Sequence, residues 1–137
     1  PYQDELLETM IADGEGLANN FIPFHTIISI FSDAITYHAY GTLCYQFFGN
    51  ILLFMPLGFS LYCYFKEDKK FVRMLCSVIA ITVFVEIWQW VFNAMLQVNY
   101  RCVDVDDIIL NTIGGILGFC IASFGISMLK SFFGKNK

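Results

Sequence analysis

No lysine or arginine occurs in the first 42 residues of this 137-residue chain, and charge is scarce throughout: 15% of residues are charged, against 57% hydrophobic. An ordinary water-soluble domain carries roughly 25% charged residues, so the shortage excludes that class, and the mean hydropathy of +0.60 agrees. Closely spaced cysteines are missing too. Cys44, Cys63, Cys76, Cys102 and Cys120 are odd in number and far apart, which supports neither a disulfide framework nor a zinc site. All but Cys102 fall in or beside apolar runs and read as small membrane-core residues. The sequence has no phosphate-cradling glycine loop and no nucleophile-plus-base motif. It begins at Pro1 without the basic, apolar and small-residue pattern of a signal peptide.

What is present is a set of long runs without charge. Ala39–Phe65 is 27 residues without a charge, Met74–Val98 is 25 residues whose one charge is Glu86, and Ile108–Leu129 is 22 without a charge. Spanning a bilayer takes about 20 mostly apolar residues, because a helix rises about 1.5 Å per residue across about 30 Å of hydrocarbon. The expected fold is therefore all-α, a polytopic transmembrane helix bundle with spans at 43–65, 74–97 and 108–129. A fourth helix, or a removed signal, is expected upstream of residue 1 to carry the acidic N-terminal stretch across the membrane. By this reading residues 1–42 form an extracytoplasmic or interfacial segment, 43–130 the bundle and 131–137 a tail.

The cations set the orientation. Lys66, Lys69, Lys70 and Arg73 fill the loop after the first span, and Lys130, Lys135 and Lys137 follow the third. Cytoplasmic loops of membrane proteins are enriched in Lys and Arg, so the 66–73 loop and the C-terminus are expected in the cytoplasm, with the N-terminal segment and the 98–107 loop outside. Arg101 is then the sole outside cation, and cations this few and this placed disfavour nucleic-acid binding. Before the first span, Phe21, Phe24, Ile27, Ile28 and Phe31 recur at helical spacing and suggest an interfacial element. His25 and His38 lack partners at metal-ligand spacing. Pro56 is expected to free a carbonyl and kink the first span.

Polar residues gather at one side. Glu86, Gln89 and Asn93 stand at i, i+3 and i+7, on one face of the second span. A carboxylate in the hydrocarbon region is expensive and is normally protonated, paired or facing water, which makes Glu86 the leading candidate. Next comes RCVDVDDIILNTIGGILG, residues 101–118, where Asp104, Asp107 and Asn111 repeat the i, i+3, i+7 spacing and Asp106 points elsewhere. Acids at a helix start cap free N–H groups and complement the dipole, which accounts for one or two of the three. The Arg101 fork is able to lock an Asp or Glu86 internally, or to hold an anionic headgroup while Asp104, Asp106 and Asp107 bind a divalent cation. No cofactor is otherwise expected. Gly114, Gly115, Gly118 and Ala122 offer a small-residue face for close helix packing, with Asn111 expected to bond Asn50 or Gln89.

Four pieces in order resemble the VanZ-like family: NFIPFHTI at 20–27, GNILLFMPLGF at 49–59, E-x-x-Q at 86–89 and R-x-x-D-V-D-D-I-I-L-N-T-I-G-G at 101–115. The resemblance implies a small multi-pass protein of the bacterial cell membrane, with one more helix before the N-x-I-P-F segment. It also implies an association with resistance to the glycopeptide teicoplanin. Matching positions are Asn50, Pro56, Glu86, Gln89, Arg101, Asp104, Asp106, Asp107 and Asn111. Cys102, where relatives often carry a small polar residue, and the acidic residues 1–19 depart from the pattern. The sequence thus favours a non-enzymatic envelope protein. In that reading Glu86, Gln89, Arg101, Asp104, Asp106, Asp107, Asn111 and Asn50 bind a lipid headgroup, a lipid-linked cell-wall precursor or a glycopeptide. The alternatives are a metal-dependent enzyme acting on a lipid phosphate at the outer leaflet and a purely structural membrane subunit.

Overall fold

A computed structural model describes residues 20–66, 69–96 and 103–134. These residues are helical almost throughout. Helix α1 is His25–Tyr37. Helix α2 runs Tyr40–Tyr64, with a π-helical stretch at Cys44–Phe48 between α-helical segments. Helix α3 is Lys70–Leu96 and α4 is Val105–Gly134. Helices α2, α3 and α4 contain three stretches long and apolar enough to cross a membrane: Tyr40–Tyr64, Lys70–Phe92 and Val105–Phe133. This is an all-α, multi-pass membrane bundle. The spans exceed the expected ones at several ends because polar termini such as Lys70 and Asp106 still take helical backbone, which hydropathy does not report.

Helix α1 is a short element before the spans. It buries Ile30 and Ala34 on the bundle and leaves Phe24, Ile28, Phe31 and Ile35 exposed. His25, Ser29, Ser32 and Asp33 are exposed as well, so the helix has protein on one side and a mixed apolar and polar surface on the other. The four cysteines Cys44, Cys63, Cys76 and Cys120 are free and exposed on the helix exteriors, and Cys102 lies outside the described residues. Pro56 sits inside α2, and the helix continues through it.

Two seams hold the spans together, and both run along α4. Toward α2 the contact is backbone on backbone. A Cβ added at Gly58 would meet the Gly115 carbonyl oxygen at 1.9 Å, and one added at Gly118 would meet the Met55 carbonyl oxygen at 1.9 Å. Side chains larger than hydrogen are therefore excluded there, and the small-residue face expected from the sequence packs on α2. Dispersion contacts at this range are the main attraction between helices in lipid, where hydrophobic burial between them contributes little. Toward α3 the contact uses side chains. The half nearest the start of α3 is apolar, with Met74 and Val78 fully buried beside Phe54 and Phe119. Lys70 lies at this end with its ammonium 3.8 Å from the centroid of the Tyr62 ring. Farther along, α3 turns polar, and the candidate site begins.

Candidate functional site

On α3 the buried face repeats every four residues: Met74, Val78, Thr82, Glu86. The first two are apolar and the last two polar, so a single helical stripe changes character halfway along. Thr82 is fully buried and Glu86 is 3% exposed. Gln89, one turn further, is half-buried. The side chain of Asn93 and all of Arg101 lie outside the described residues. Opposite, α4 presents Asn111, 4% exposed, whose Nδ2 donates to Thr82 Oγ1 at 2.8 Å. That differs from the expected bond to Asn50 or Gln89. Asn111 faces α3 and not α2, and an antiparallel neighbour brings it level with Thr82, two turns inward of Gln89.

The three aspartates at the head of α4 go to three different places. Asp104 immediately precedes the helix, and its Oδ1 accepts the Asp106 N–H at 2.9 Å. This is the N-cap arrangement that satisfies a free donor of the first turn. Its own N–H donates to Glu86 Oε2 at 3.3 Å, which ties α3 to the start of α4. Asp107 turns toward α2 and accepts from Asn50 Nδ2 at 2.5 Å. Asp106, 1% exposed, points at helix α1: its two carboxylate oxygens accept the backbone N–H groups of Phe24 at 2.5 Å and Ile27 at 3.1 Å.

The last pair explains how α1 starts. Phe24, at the N-cap, has φ of 67° and ψ of 0°, a left-handed conformation uncommon for a non-glycine residue, and its own side chain makes no capping bond. Asp106 supplies the cap from 82 residues away. A carboxylate at a helix N-terminus accepts orphan N–H groups and sits in the favourable end of the dipole, which offsets the strain at Phe24.

Asn20 completes the junction. It pairs with Asp104 as a short parallel bridge, Asn20 N–H to the Val103 carbonyl at 2.9 Å and Val105 N–H to the Asn20 carbonyl at 3.1 Å. Its side chain donates to Thr26 Oγ1 and Asp104 Oδ1, and accepts from the Ile22 N–H. The sequence segments NFIPFHTI and DVDD are thus one hydrogen-bonded unit. Sequence reasoning gave no role to Asn20 or Thr82. Thr82 was legible as the i−4 extension of the Glu86 stripe, whereas the pairing of Asn20 with Asp104 leaves no periodic trace.

Two acceptors in this region have no donor among the described residues. Asn111 Oδ1 and Gln89 Oε1 are both buried and unpaired among the described residues. No group of three or more His, Cys, Asp and Glu side chains is arranged to hold a metal ion among the described residues. The three aspartates, adjacent in sequence, diverge in space. Amide groups on α3 and α4 are what the arrangement has to offer chemically, together with a buried carboxylate, Glu86, on the same stripe of α3 as Thr82.

A family model described as VanZ/LLP1 matches residues 3–128. The chain belongs to the VanZ/LLP1 family. The match reaches N-terminal of the four motifs and includes most of the acidic stretch that sets residues 1–19 apart. Neither a curated protein nor a solved structure matches the chain. Within this VanZ/LLP1 protein, the segments that carry the family resemblance are those that meet at the head of α4.

Proposed function

We propose that the polar seam between α3 and α4 is a ligand-binding site at the outer side of a bacterial cell membrane. It takes a lipid headgroup, a lipid-linked cell-wall precursor or a glycopeptide. The 66–73 loop and the C-terminus lie in the cytoplasm, and the N-terminal segment and the 98–107 loop lie outside, as the placement of Lys and Arg supports. The observation that carries the binding reading is the pair of buried, unpaired acceptors, Asn111 Oδ1 and Gln89 Oε1. Buried polar groups are nearly always paired, so two that lack donors among the described residues favour a group supplied from elsewhere. The family resemblance adds Arg101, which lies outside the described residues, to this reading, and the association of VanZ-like proteins with teicoplanin resistance makes access of the glycopeptide to its target the process affected.

Substituting Glu86→Gln and Arg101→Ala in the full-length protein tests this. Gln retains an acceptor for the Asp104 N–H while removing the charge, so the bundle is expected to insert normally and teicoplanin susceptibility to rise. Unchanged susceptibility in correctly inserted variants would rule the site out.

A second reading, a purely structural subunit, is favoured by one observation: the carboxylates of Asp104, Asp106 and Asp107 all accept protein donors. It requires every polar substitution to act on function in proportion to its effect on stability. Glu86→Gln losing function at unchanged melting temperature would contradict it.

A further inference from the structure

The polar seam assigns no role to α1, whose 13 residues divide into three sides. Projected at about 100° per residue, the buried Ile30 and Ala34 share one side, which faces the bundle. Ile28, Phe31 and Ile35, which are 67%, 40% and 74% exposed, share a second side about 115° away. His25, Ser29, Ser32 and Thr36, all exposed, form a third about 100° beyond that. Asp33, exposed as well, lies between the polar side and the bundle. Water on every side would leave the apolar side without a counterpart, and hydrocarbon on every side would make Asp33 and the polar side expensive. The pattern calls for both media.

The position of α1 agrees. Its start is fastened to the head of α4 by Asp106, and its end turns at His38, φ 57°, into the start of α2 at Tyr40. The backbone contacts Ile51–Gly114 and Gly58–Gly115 set α2 and α4 in register. Counted outward from them at about 1.5 Å per residue, Tyr40 stands about 5–14 Å beyond Asp106, whereas α1 itself is about 20 Å long. The helix therefore slants across the ends of the spans, at the end of α4 opposite Lys130. Its apolar side is continuous with the exterior of α2: Phe31 meets Phe47 edge to face at 5.2 Å, Phe47 meets Phe48 at 5.2 Å, and Phe48 is 47% exposed on a span of bilayer length. The medium around such a span is acyl chains. We infer that α1 is a membrane-surface helix, with Ile28, Phe31 and Ile35 among the acyl chains of the outer leaflet and His25, Ser29, Ser32 and Thr36 in water, as amphipathic helices lie at interfaces. The Asp106 cap holds it at that height. This stands apart from the ligand reading, and only the choice of leaflet rests on the orientation proposed above.

Spin labels test this in full-length protein in liposomes, placed one at a time at Ile28→Cys, Ile35→Cys, Ser29→Cys and Ser32→Cys with the protein's own cysteines replaced by alanine. Dissolved oxygen concentrates among acyl chains and a nickel chelate stays in water, so relaxation of each label by the two reagents reports its surroundings. The labels at Ile28→Cys and Ile35→Cys are expected to favour oxygen over the chelate several-fold more than those at Ser29→Cys and Ser32→Cys. Phe31→Cys stands in for an isoleucine variant that fails to insert, and Thr36→Cys for a serine variant. All four labels favouring the chelate would leave α1 in water, and all four favouring oxygen would sink it in hydrocarbon. Shielding of Ile28→Cys and Ile35→Cys from both reagents would mean that protein, another segment or a second copy, covers the apolar side. Each of these outcomes overturns the inference. On intact cells a membrane-impermeant maleimide should label Ser29→Cys, and labelling only after lysis would overturn the choice of leaflet. The spin-label results leave the Glu86→Gln susceptibility test untouched, so the binding-site reading stands or falls separately.

Discussion

Helix α4 presents two faces that solve the same problem by opposite means. Against α2 it removes side chains until carbonyls of each helix lie where the other's Cβ would stand, as at Gly58 and Gly118. Against α3 it keeps polar side chains and bonds them across the gap, through Asn111 to Thr82 and through Asp104 to Glu86. The glycine seam is closed, since nothing larger than hydrogen fits. The polar side carries two oxygens that are unpaired among the described residues. A helix pair meant only to stay together is served by the first kind of contact. The second kind retains groups whose desolvation is costly, which is why function is sought there.

The comparison is broken most severely from the glycine side. Gly118→Val would place branched carbons within the α2 backbone, and because overpacking a rigid contact typically costs about 1–3 kcal/mol and sometimes more, a loss at or beyond that upper end is expected. Thermal unfolding of the purified protein in detergent measures it. Gly125→Val, with nothing within 4 Å of an added Cβ, is the control and should change little. A Gly118 variant as stable as the Gly125 variant would mean the seam is not close-packed.

A smaller effect is expected at the junction. Asp106→Ala removes the acceptor of the Phe24 and Ile27 N–H groups, and loss of an N-cap typically costs about 0.5–2 kcal/mol. Because the strained Phe24 depends on that carboxylate, hydrogen exchange of the first-turn amides of α1 should accelerate about tenfold while amides in α3 stay protected. Uniform acceleration across the protein would show that Asp106 supports the whole bundle and not α1 in particular. The smallest effect belongs to Thr82→Val, which keeps the shape and removes the Asn111 partner. Side-chain hydrogen bonds between membrane helices average about 0.6 kcal/mol, so the shift in melting temperature should be slight. A shift as large as that of Gly118→Val would erase the distinction between the two seams.

The sequence by itself determined the class of fold and much of the candidate site. Three runs of bilayer length, two uncharged and one interrupted only by Glu86, leave the backbone no alternative to helix, since every N–H and C=O must find its partner within the segment. The Gly114–Gly118 spacing marked a close-packing face, and the polar periodicities picked out Glu86, Asp104 and Asn111, which are buried. All of this is local information, carried by spacing along one chain segment. Which face meets which neighbour is not local. That Asn111 bonds Thr82, that Asp107 bonds Asn50, and that Asp106 caps a helix 82 residues earlier in the chain depends on how three helices pack and on where α1 is laid. A carboxylate's sequence position fixes its helical phase but not the donor it meets, because a donor satisfied from another element leaves no periodic mark in either segment. Tertiary structure alone turned three neighbouring aspartates into three separate fastenings, and left two buried amide oxygens, of Gln89 and Asn111, without a donor among the described residues.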